Sequence, residues 1–433
     1  MRLTFFKNTL FLLVLFCFSC GSGSGKENAA DNEDIVIHDM YPLDEVQKKN
    51  NMENTGPIVV GAERFEVYKK FLQNKKVGVV ANQTSVVTYR SEPDNSLNAF
   101  DVEMHLVDFL LRKGISVKKV FSPEHGFRGE ADAGEAVKDG VDTNTGLPIV
   151  SLYGKNKKPF VDQLKDLDVM VFDMQDVGVR FYTYVSTMHY IMEAAAENGI
   201  PVIVMDRPNP NGHYIDGPMM EEAHRSFLGM HPVPLVHGMT MGEYAQMING
   251  EGWLSNGVRC ELEVIQMENY THDTVYSVPI RPSPNLPNDT AINLYPSLGL
   301  LEGTNLNAGR GTEMQFQVFG SPHLPAGIYT FQYTPQPNFG SKNPKHKGTQ
   351  CNGLDLRDTP RMNKVDLSWI IEAYKNHSRK NEFFNTKNFT AHAGTAKLQK
   401  QIEQGLSMKE IRNSWQDDLK AYKAMRKKYL LYE

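Results

Sequence analysis

The sequence is poor in cysteine and carries no strong excess of either charge. It has four cysteines among 433 residues and a formal net charge of −5 at pH 7. Beyond the N-terminal leader only Cys260 and Cys351 remain, and they form either one disulfide or two buried thiols, because a sequence does not give their distance. No Cys/His spacing predicts a metal site. The charge balance excludes the basic footprint that nucleic-acid binding requires.

Several signatures of common enzyme classes are also missing. Neither GxGxxG nor GxxxxGK[ST] supports a dinucleotide or nucleoside triphosphate site, so no cofactor is expected. The lack of a GxSxG elbow argues against a serine esterase or amidase, and the lack of HExxH spacing argues against a zinc amidase. The enzyme classes that remain use ordinary amino-acid side chains as their catalytic groups.

The N-terminus resembles a targeting segment. Its apolar run at 10–18 is too short to span a bilayer as a helix and ends in CFSC followed by GSGSG. A small residue and then cysteine at that point is typical of a bacterial lipoprotein signal, although the first cysteine of CFSC replaces the usual branched apolar residue. We therefore expect a signal peptide at 1–19, lipidation of Cys20, and a flexible tether at 20–56. The protein would then be exported and anchored to a bacterial membrane, facing the periplasm or cell envelope. A plain secretory signal or a membrane anchor is the alternative.

From residue 57 short apolar runs alternate with helical patterns, which is typical of a parallel sheet covered on both faces. The strand-like runs lie at 77–81, 117–121, 168–173 and 201–206. The helical faces contain Val102, Leu106, Phe109 and Leu110, then Met188, Ile191, Met192 and Ala195, and finally Ile411, Trp415, Leu419 and Tyr422 after an SMKE capping box. The predicted fold class is α/β, with a Rossmann-like N-terminal domain.

Polar side chains follow all four strand-like runs. The segments are NQTS at 82–85, SPEHGFRG at 122–129, DMQDVGVRFYTY at 173–184 and DRPNPNG at 206–212. Ligands of open α/β sheets bind beyond the carboxyl ends of the strands, so these loops are expected to converge on one site. Their amide, carboxylate, arginine and tyrosine side chains suit a polyhydroxylated ligand, and the sequence therefore favours sugar chemistry.

Glycoside hydrolysis needs a carboxylic acid that protonates the leaving oxygen and usually a second carboxylate. Glu124 is the best acid candidate, because it lies on a turn stiffened by Pro123 and burial would raise its pKa. A salt-bridged loop carboxylate is the alternative for Glu124. Asp173 and Asp176 are candidates for the second carboxylate or for orienting groups, and capping of the next helix is an equal alternative for both. His125 is expected to be a hydrogen-bonding neighbour.

Four blocks in order resemble the exo-β-N-acetylmuramidase family of glycoside hydrolases. They are SPEHGFRG, DVMVFDMQDVGVRFYTY, DRPNPNG and YPSLGLLEGTNLNAGRGTE, and the resemblance extends over 57–433. It implies release of N-acetylmuramic acid from the non-reducing ends of peptidoglycan fragments, with MurNAc-GlcNAc units as the partner. It also implies a Rossmann-like catalytic domain at 57–228, a smaller α+β domain at 229–433 and an active-site cleft between them. The family's glutamate in SPEHG corresponds to Glu124.

Muramic acid carries a lactyl carboxylate, for which arginine is the natural bidentate partner. Arg180 and Arg310 are the candidates for that contact. The full set of expected substrate-binding residues is Asn82, His125, Arg180, Tyr182, Tyr184, Asn211, Asn305, Arg310 and Glu313.

Two questions stay open at this point. A non-catalytic peptidoglycan-binding lipoprotein would need the same sugar-binding groups but no acid. For the enzyme, the sequence does not distinguish inverting, retaining and substrate-assisted hydrolysis, because the first two differ in the distance between carboxylates.

Overall fold

A computed structural model of the chain describes residues 56–90, 101–124, 126–129, 139–154 and 156–433. The described residues belong to one compact unit, Asn51–Glu433. The signal peptide, Cys20, the tether up to residue 55 and His125 lie outside the described residues, so those expectations stay predictions.

A seven-stranded sheet forms the centre of the molecule. Its strands are β1 (Lys76–Ala81), β4 (Ser116–Ser122), β5 (Gly140–Val141), β6 (Pro148–Ser151), β7 (Val169–Asp173), β8 (Val202–Met205) and β11 (Leu262–Ile265). Their order across the sheet is β11-β8-β7-β1-β4-β6-β5. All neighbours pair in parallel except β5, which runs antiparallel to β6 at the edge. The α/β fold class and the four predicted strands are therefore confirmed.

Both faces of this sheet are buried, which explains why its strands are almost entirely apolar. In β7, Val169 and Val171 belong to one hydrophobic cluster, whereas Met170 and Phe172 belong to a second cluster on the other face. The alternation follows from the two-residue period of a strand. The second cluster continues as far as Tyr422, near the C-terminal end of the chain.

The other strands of the described residues form smaller sheets. The described residues contain a hairpin of β2 (Val86–Arg90) and β3 (Asp101–His105), a pair of β9 (Asp216–Met219) and β10 (Pro234–Val236), and a three-stranded antiparallel sheet of β12 (Val318–Ser321), β13 (Phe331–Tyr333) and β14 (Cys351–Asp355).

The helices cover the sheet and pack on one another in the C-terminal part. They are α1 (Phe65–Leu72), α2 (Leu106–Arg112), α3 (Val161–Leu164), α4 (Tyr184–Glu197), α5 (Met241–Gly250), α6 (Asp289–Leu298), α7 (Ser368–Asn376), α8 (Thr386–Ala393), α9 (Lys397–Glu403), α10 (Met408–Asn413) and α11 (Gln416–Arg426). Within the described residues no helix is both long and apolar enough to cross a membrane.

Two helix predictions are wrong in their bounds. Val102 lies in β3, so α2 begins only at Leu106, where His105 accepts a hydrogen bond from the Val107 amide as the N-cap. The predicted C-terminal helix is two helices, because the chain breaks between α10 and α11 at Trp415. The capping box is confirmed, since Ser407 accepts from the Glu410 amide.

Cys260 and Cys351 are buried free thiols, which decides between the two alternatives that the sequence left open. The predicted division into domains at 228/229, with a cleft between them, stays a prediction.

Candidate active site

A cavity of about 160 Å³ opens beyond the carboxyl end of β4. Its walls come from segments that are far apart in the sequence. They are formed by Glu124, Phe181, Tyr182, Thr183, Tyr184, Leu228, Ser283, Asn285, Leu286, Tyr295, Glu302, Arg310, Phe316 and His392. The Glu124 loop and the GVRFYTY segment (178–184) therefore line one space, as the strand-end argument predicts.

The Glu124 loop is held in place by charge pairs at its far end. Arg128 donates two hydrogen bonds to Asp108, at 2.9 and 3.1 Å, and two to Asp142, at 3.0 and 2.8 Å. These bonds to Arg128 lower the pKa of Asp142 to about 2. The dense charge of SPEHGFRG thus has a structural part, Arg128, as well as a part that faces the cavity, Glu124.

Two hydroxyl groups contact the Glu124 carboxyl. The Tyr153 hydroxyl donates to Oε1 at 3.1 Å, and the Thr183 hydroxyl lies 3.4 Å from Oε2. Burial and the neighbouring Glu124 charge raise the pKa of Tyr153, so its phenol keeps its proton at neutral pH. Both carboxyl oxygens of Glu124 are therefore held by groups that fix its orientation.

Aromatic side chains form one wall of the cavity. The rings of Tyr182 and Tyr184 meet edge to face with centroids 4.8 Å apart, and Tyr182 lies 6.3 Å from Tyr295 in the same arrangement. The Tyr182 hydroxyl donates to the Pro282 carbonyl at 2.7 Å, which ties this wall to the PSPNLP loop (282–287). Aromatic faces of this kind suit the apolar face of a sugar ring.

Phe316 adds strain to the same wall. Its φ of 51° lies in the left-handed region, which is rare for a bulky side chain and costs of order 1–3 kcal/mol. Its ring packs edge to face on Tyr295 with centroids 4.7 Å apart. The fold therefore holds this aromatic residue at the cavity against a local backbone cost.

A cluster of charges lies at the same cavity. Arg310 Nη1 donates to both carboxylate oxygens of Glu302, at 3.3 and 3.1 Å, and Arg310 Nη2 donates to the Gly340 carbonyl at 3.2 Å. Lys345 Nζ donates to the carbonyls of Leu301, Glu302, Thr304 and Leu306 at 2.8 to 3.2 Å. Burial alone would raise the pKa of Glu302, but the charges of Arg310 and Lys345 outweigh it and lower the pKa. Glu302 is therefore ionised at neutral pH.

His392 reaches the cavity from α8. Its Nδ1 lies 2.9 Å from the Asn388 carbonyl, one turn earlier in the helix, and donates to it. Burial lowers the pKa of His392, so the ring is neutral at neutral pH. The ring adds no charge to the site.

Four of the predicted site residues meet at the cavity, namely Glu124, Tyr182, Tyr184 and Arg310. Arg180 lies elsewhere in the interior. It donates to the carbonyls of Pro218, Val233, His392 and Ala393, at 2.9, 2.9, 3.1 and 2.7 Å. Because Arg180 binds the C-terminal carbonyls of α8, it supports the backbone of His392 and does not line the cavity itself.

The two aspartates that precede the GVRFYTY segment, Asp173 and Asp176, are not among the residues that line the cavity. Asp173 is fully buried and accepts from Arg207 Nε at 2.6 Å and Nη2 at 2.9 Å. Asp176 is buried, and its Oδ1 accepts from the Gly178 amide at 2.7 Å, but no described residue donates to Oδ2. Burial raises the pKa of Asp176 to about 7. Asp176 is therefore a carboxyl group with little to hold it as an anion.

The predicted amide ligands serve the framework in this structure. Asn82 donates to the Tyr184 hydroxyl at 2.7 Å and so positions a cavity residue. Asn211 is fully buried and donates to the carbonyls of Val177 and Ile292. The Asn305 Oδ1 accepts from Ser321, and Glu313 is exposed, and neither residue is among those that line the cavity.

Sequence reasoning missed several residues of the cavity. Tyr153, which contacts Glu124 but is not among the lining residues, follows the short strand β6, which was not predicted, so strand-end reasoning would have found it. Glu302 lies in the YPSLGLLEGTNLNAGRGTE block and Asn285 in the PSPNLP loop, but no feature of the sequence separates either residue from its neighbours. His392 belongs to a helix with no pattern that points to a site. Among the described residues no group of histidine, cysteine and acidic side chains could hold a metal ion.

Comparison with known proteins finds the same family both in the family descriptions and in a single relative. The family description "Exo-beta-N-acetylmuramidase NamZ, N-terminal" matches residues 77–290, and "Exo-beta-N-acetylmuramidase NamZ, C-terminal" matches residues 293–432. The chain is 39% identical over 389 residues to the peptidoglycan beta-N-acetylmuramidase NamZ of Bacillus subtilis (strain 168), which covers 84% of this chain and 89% of that protein.

Two crystal structures from Bacteroides fragilis NCTC 9343, both of DUF1343 family proteins, are similar to this fold. One is 40% identical with a TM-score of 0.77, and the other is 30% identical with a TM-score of 0.72. Each comparison covers 87% of this chain and 99% of the other chain.

Proposed function

The chain belongs to the exo-β-N-acetylmuramidase family and is an exo-acting glycosidase, and we propose that the cavity around Glu124 is where it releases N-acetylmuramic acid from the non-reducing ends of peptidoglycan fragments. The observation that carries this proposal is that one cavity is lined by the Glu124 carboxyl group, an aromatic wall and the Arg310–Glu302 ion pair. The non-catalytic binding protein is set aside, because the family consists of glycosidases.

Glu124 is the general acid of this proposal. Its carboxyl group lines the cavity and is held by the hydroxyls of Tyr153 and Thr183, so its proton can be aimed at one leaving oxygen. A positioned acid typically contributes on the order of 10²–10⁴ in rate. The expected contribution is largest for a sugar leaving group, which departs poorly without a proton.

Arg310 is the residue that we assign to the lactyl carboxylate. Among the described residues no acceptor lies within hydrogen-bond distance of its Nε, and Arg310 lines the cavity. Next to Glu302 lie the charges of Arg310 and of Lys345, which does not itself line the cavity, so the surroundings of Glu302 are positive, and His392 is neutral. A ligand carboxylate would balance this positive charge, and a carboxylate beside arginine is a strong, oriented contact.

The second carboxylate of the reaction is assigned here to Glu302. Glu302 lines the cavity and is ionised, whereas Asp173 and Asp176 are not among the residues that line the cavity. Most glycosidases pair a general acid with a second carboxylate, and Glu302 is the second carboxyl group that lines the cavity with Glu124. In this assignment Asp173, Asp176, Arg180, Asn82 and Asn211 support the site and do not touch the sugar.

Substrate chemistry also bears on location. Peptidoglycan lies in the bacterial envelope, which agrees with an exported enzyme. Anchoring through a lipid on Cys20, with 20–56 as a tether, is a further part of the proposal and rests on the CFSC motif alone.

Product analysis tests the proposed function. Wild-type protein should release free N-acetylmuramic acid from a glycan fragment with that sugar at its non-reducing end, and should leave a fragment that ends in N-acetylglucosamine uncut. Glu124→Gln should lose on the order of 10²–10⁴ in kcat on this fragment. It should keep much more activity on an aryl glycoside whose leaving group needs no protonation.

Glu382→Gln, an exposed glutamate away from the cavity, is the matched control. Near-wild-type turnover of the natural fragment by a folded Glu124→Gln protein would remove the acid role from Glu124. Absence of any released muramic acid from wild-type protein would contradict the proposed function as a whole.

A further inference from the structure

Asn285 lines the cavity and has a buried side-chain acceptor that no described residue uses. Its side chain lines the cavity and is only 3% exposed. Among the described residues no donor lies within hydrogen-bond distance of its Oδ1. A buried acceptor without a partner costs about 1–3 kcal/mol, so such an atom in a binding cavity calls for a ligand donor.

The amide of Asn285 has a fixed orientation. Its Nδ2 donates to the Gly340 carbonyl at 2.8 Å, so the oxygen is the atom for which no described residue provides a donor. Gly340 has a φ of 97°, and a Cβ at this position would come within 2.9 Å of Pro284 Cβ and 3.2 Å of the Asn285 amide. The close approach of the Gly340 backbone therefore depends on glycine.

The Gly340 carbonyl also accepts from Arg310 Nη2 at 3.2 Å. The Gly340 carbonyl oxygen thus accepts from both side chains. Among the described residues, Arg310 Nε has no acceptor and Asn285 Oδ1 has no donor. Because the two side chains meet at one oxygen, the ligand groups that they bind have to be close neighbours as well. If Arg310 binds the lactyl group, Asn285 contacts a substituent next to the ring carbon that carries it.

Two donors of a terminal N-acetylmuramic acid flank that carbon, the N–H of the 2-acetamido group and the 4-hydroxyl. A hydroxyl would bring lone pairs that need donors of their own, whereas an amide N–H only donates. The buried Oδ1 offers acceptance alone and so matches the N–H better. We propose that Asn285 Oδ1 accepts the N–H of the 2-acetamido group and makes the enzyme specific for an N-acylated sugar. This inference rests on the proposed function and on the assignment of Arg310.

The test compares two aryl glycosides that differ by one hydrogen-bearing atom. One is the N-acetylmuramic acid glycoside, and the other has an acetyl ester in place of the acetamide, which keeps the shape and removes the N–H. The ratio of kcat/KM for the amide to kcat/KM for the ester should be about 5- to 150-fold larger for the wild-type protein than for Asn285→Leu. The reason is that a polar site rejects an analogue that leaves its hydrogen-bonding group unpaired. The comparison of ratios cancels any intrinsic difference in reactivity between the two substrates.

Asn285→Ala is the second variant if the leucine protein does not fold, and Asn376→Ala, which lies away from the cavity, is the matched control. A 4-deoxy glycoside is assayed with the same proteins. An unchanged amide-to-ester ratio in both Asn285 variants overturns the inference, and so does a loss of discrimination that follows the 4-hydroxyl instead. If wild-type protein hydrolyses none of these glycosides, the proposed function fails together with the inference. Hydrolysis with an unchanged ratio removes the inference alone.

Discussion

Replacement of Asp176 by asparagine should make the protein relatively more stable as the pH rises. The Asp176 carboxyl is buried, accepts one hydrogen bond from the Gly178 amide, and has no donor to Oδ2 among the described residues. Burial raises its pKa from 3.8 to about 7 in the folded protein. Asparagine keeps the Oδ1 acceptor and the shape of the side chain, but it has no proton to lose.

The magnitude follows from the difference between the folded and unfolded pKa values. A carboxyl whose pKa is raised on folding stabilises the folded state fully below the unfolded pKa. That contribution is lost as the pH rises towards the folded pKa, because the unfolded chain gives up its proton first. A shift of about three units at 1.36 kcal/mol per unit corresponds to roughly 4 kcal/mol. The stability of Asp176→Asn relative to wild type should therefore increase by about this amount between roughly pH 4 and pH 7.

Urea unfolding of both proteins across that pH range measures the difference directly. Asp142→Asn is a control of opposite sign in a lower window, because Arg128 lowers the pKa of Asp142 from 3.8 to about 2 and its stabilising effect is lost as the pH falls through that interval. A difference between Asp176→Asn and wild type that stays constant with pH would refute a protonated, desolvated Asp176. Activity gives a second test: a folded Asp176→Asn protein that has lost its turnover would return Asp176 to the chemistry of the site.

Substitution of Arg310 should change the substrate preference, whereas substitution of Arg180 should change the stability. Each variant is therefore the control for the other. Arg310→Met should reduce the preference for terminal N-acetylmuramic acid over terminal N-acetylglucosamine by about 30-fold or more in kcat/KM, since a broken desolvated charge pair costs about 2–5 kcal/mol. An unchanged preference would mean that another group binds the lactyl carboxylate. Arg180→Met should instead lower the free energy of unfolding by roughly 3 kcal/mol or more, because four carbonyls lose their donor. Wild-type stability of this variant would show that those carbonyls find other partners.

The central sheet could be predicted because its signal is local. Strands such as β7 are buried on both faces, so each residue of the run is apolar and the pattern needs no knowledge of the rest of the fold. The sequence did not predict the β2–β3 hairpin, because Val102 and Leu106 also fit a helical spacing. Val102 forms part of β3 because that strand pairs with β2, and periodicity does not show strand pairing. The break at Trp415 is likewise a tertiary effect, since a continuous apolar face runs through it.

The candidate site was predictable only in part, because buried polar side chains have two uses. Arg180 and Arg310 are the same residue type in glycine-containing loops, but one satisfies backbone carbonyls in the interior and the other faces the cavity. Asp173 and Glu124 differ in the same way. Strand ends concentrate such residues for both purposes, since a buried loop must satisfy its own backbone. A sequence shows that polar residues are concentrated at the strand ends. It does not show which of them face the cavity and which satisfy buried backbone groups.

The cavity also depends on chain segments on both sides of residue 228. The acid, Glu124, and the tyrosine wall come before it, whereas Asn285, Glu302 and Arg310 come after it. The wall is joined to the later part by the hydrogen bond from Tyr182 to Pro282. Proton donation and recognition of the sugar's substituents are therefore built from different parts of the chain. Substitutions at Arg310 or Asn285 can then change which sugar is accepted without removing the acid, and this separation is what the substrate comparisons measure.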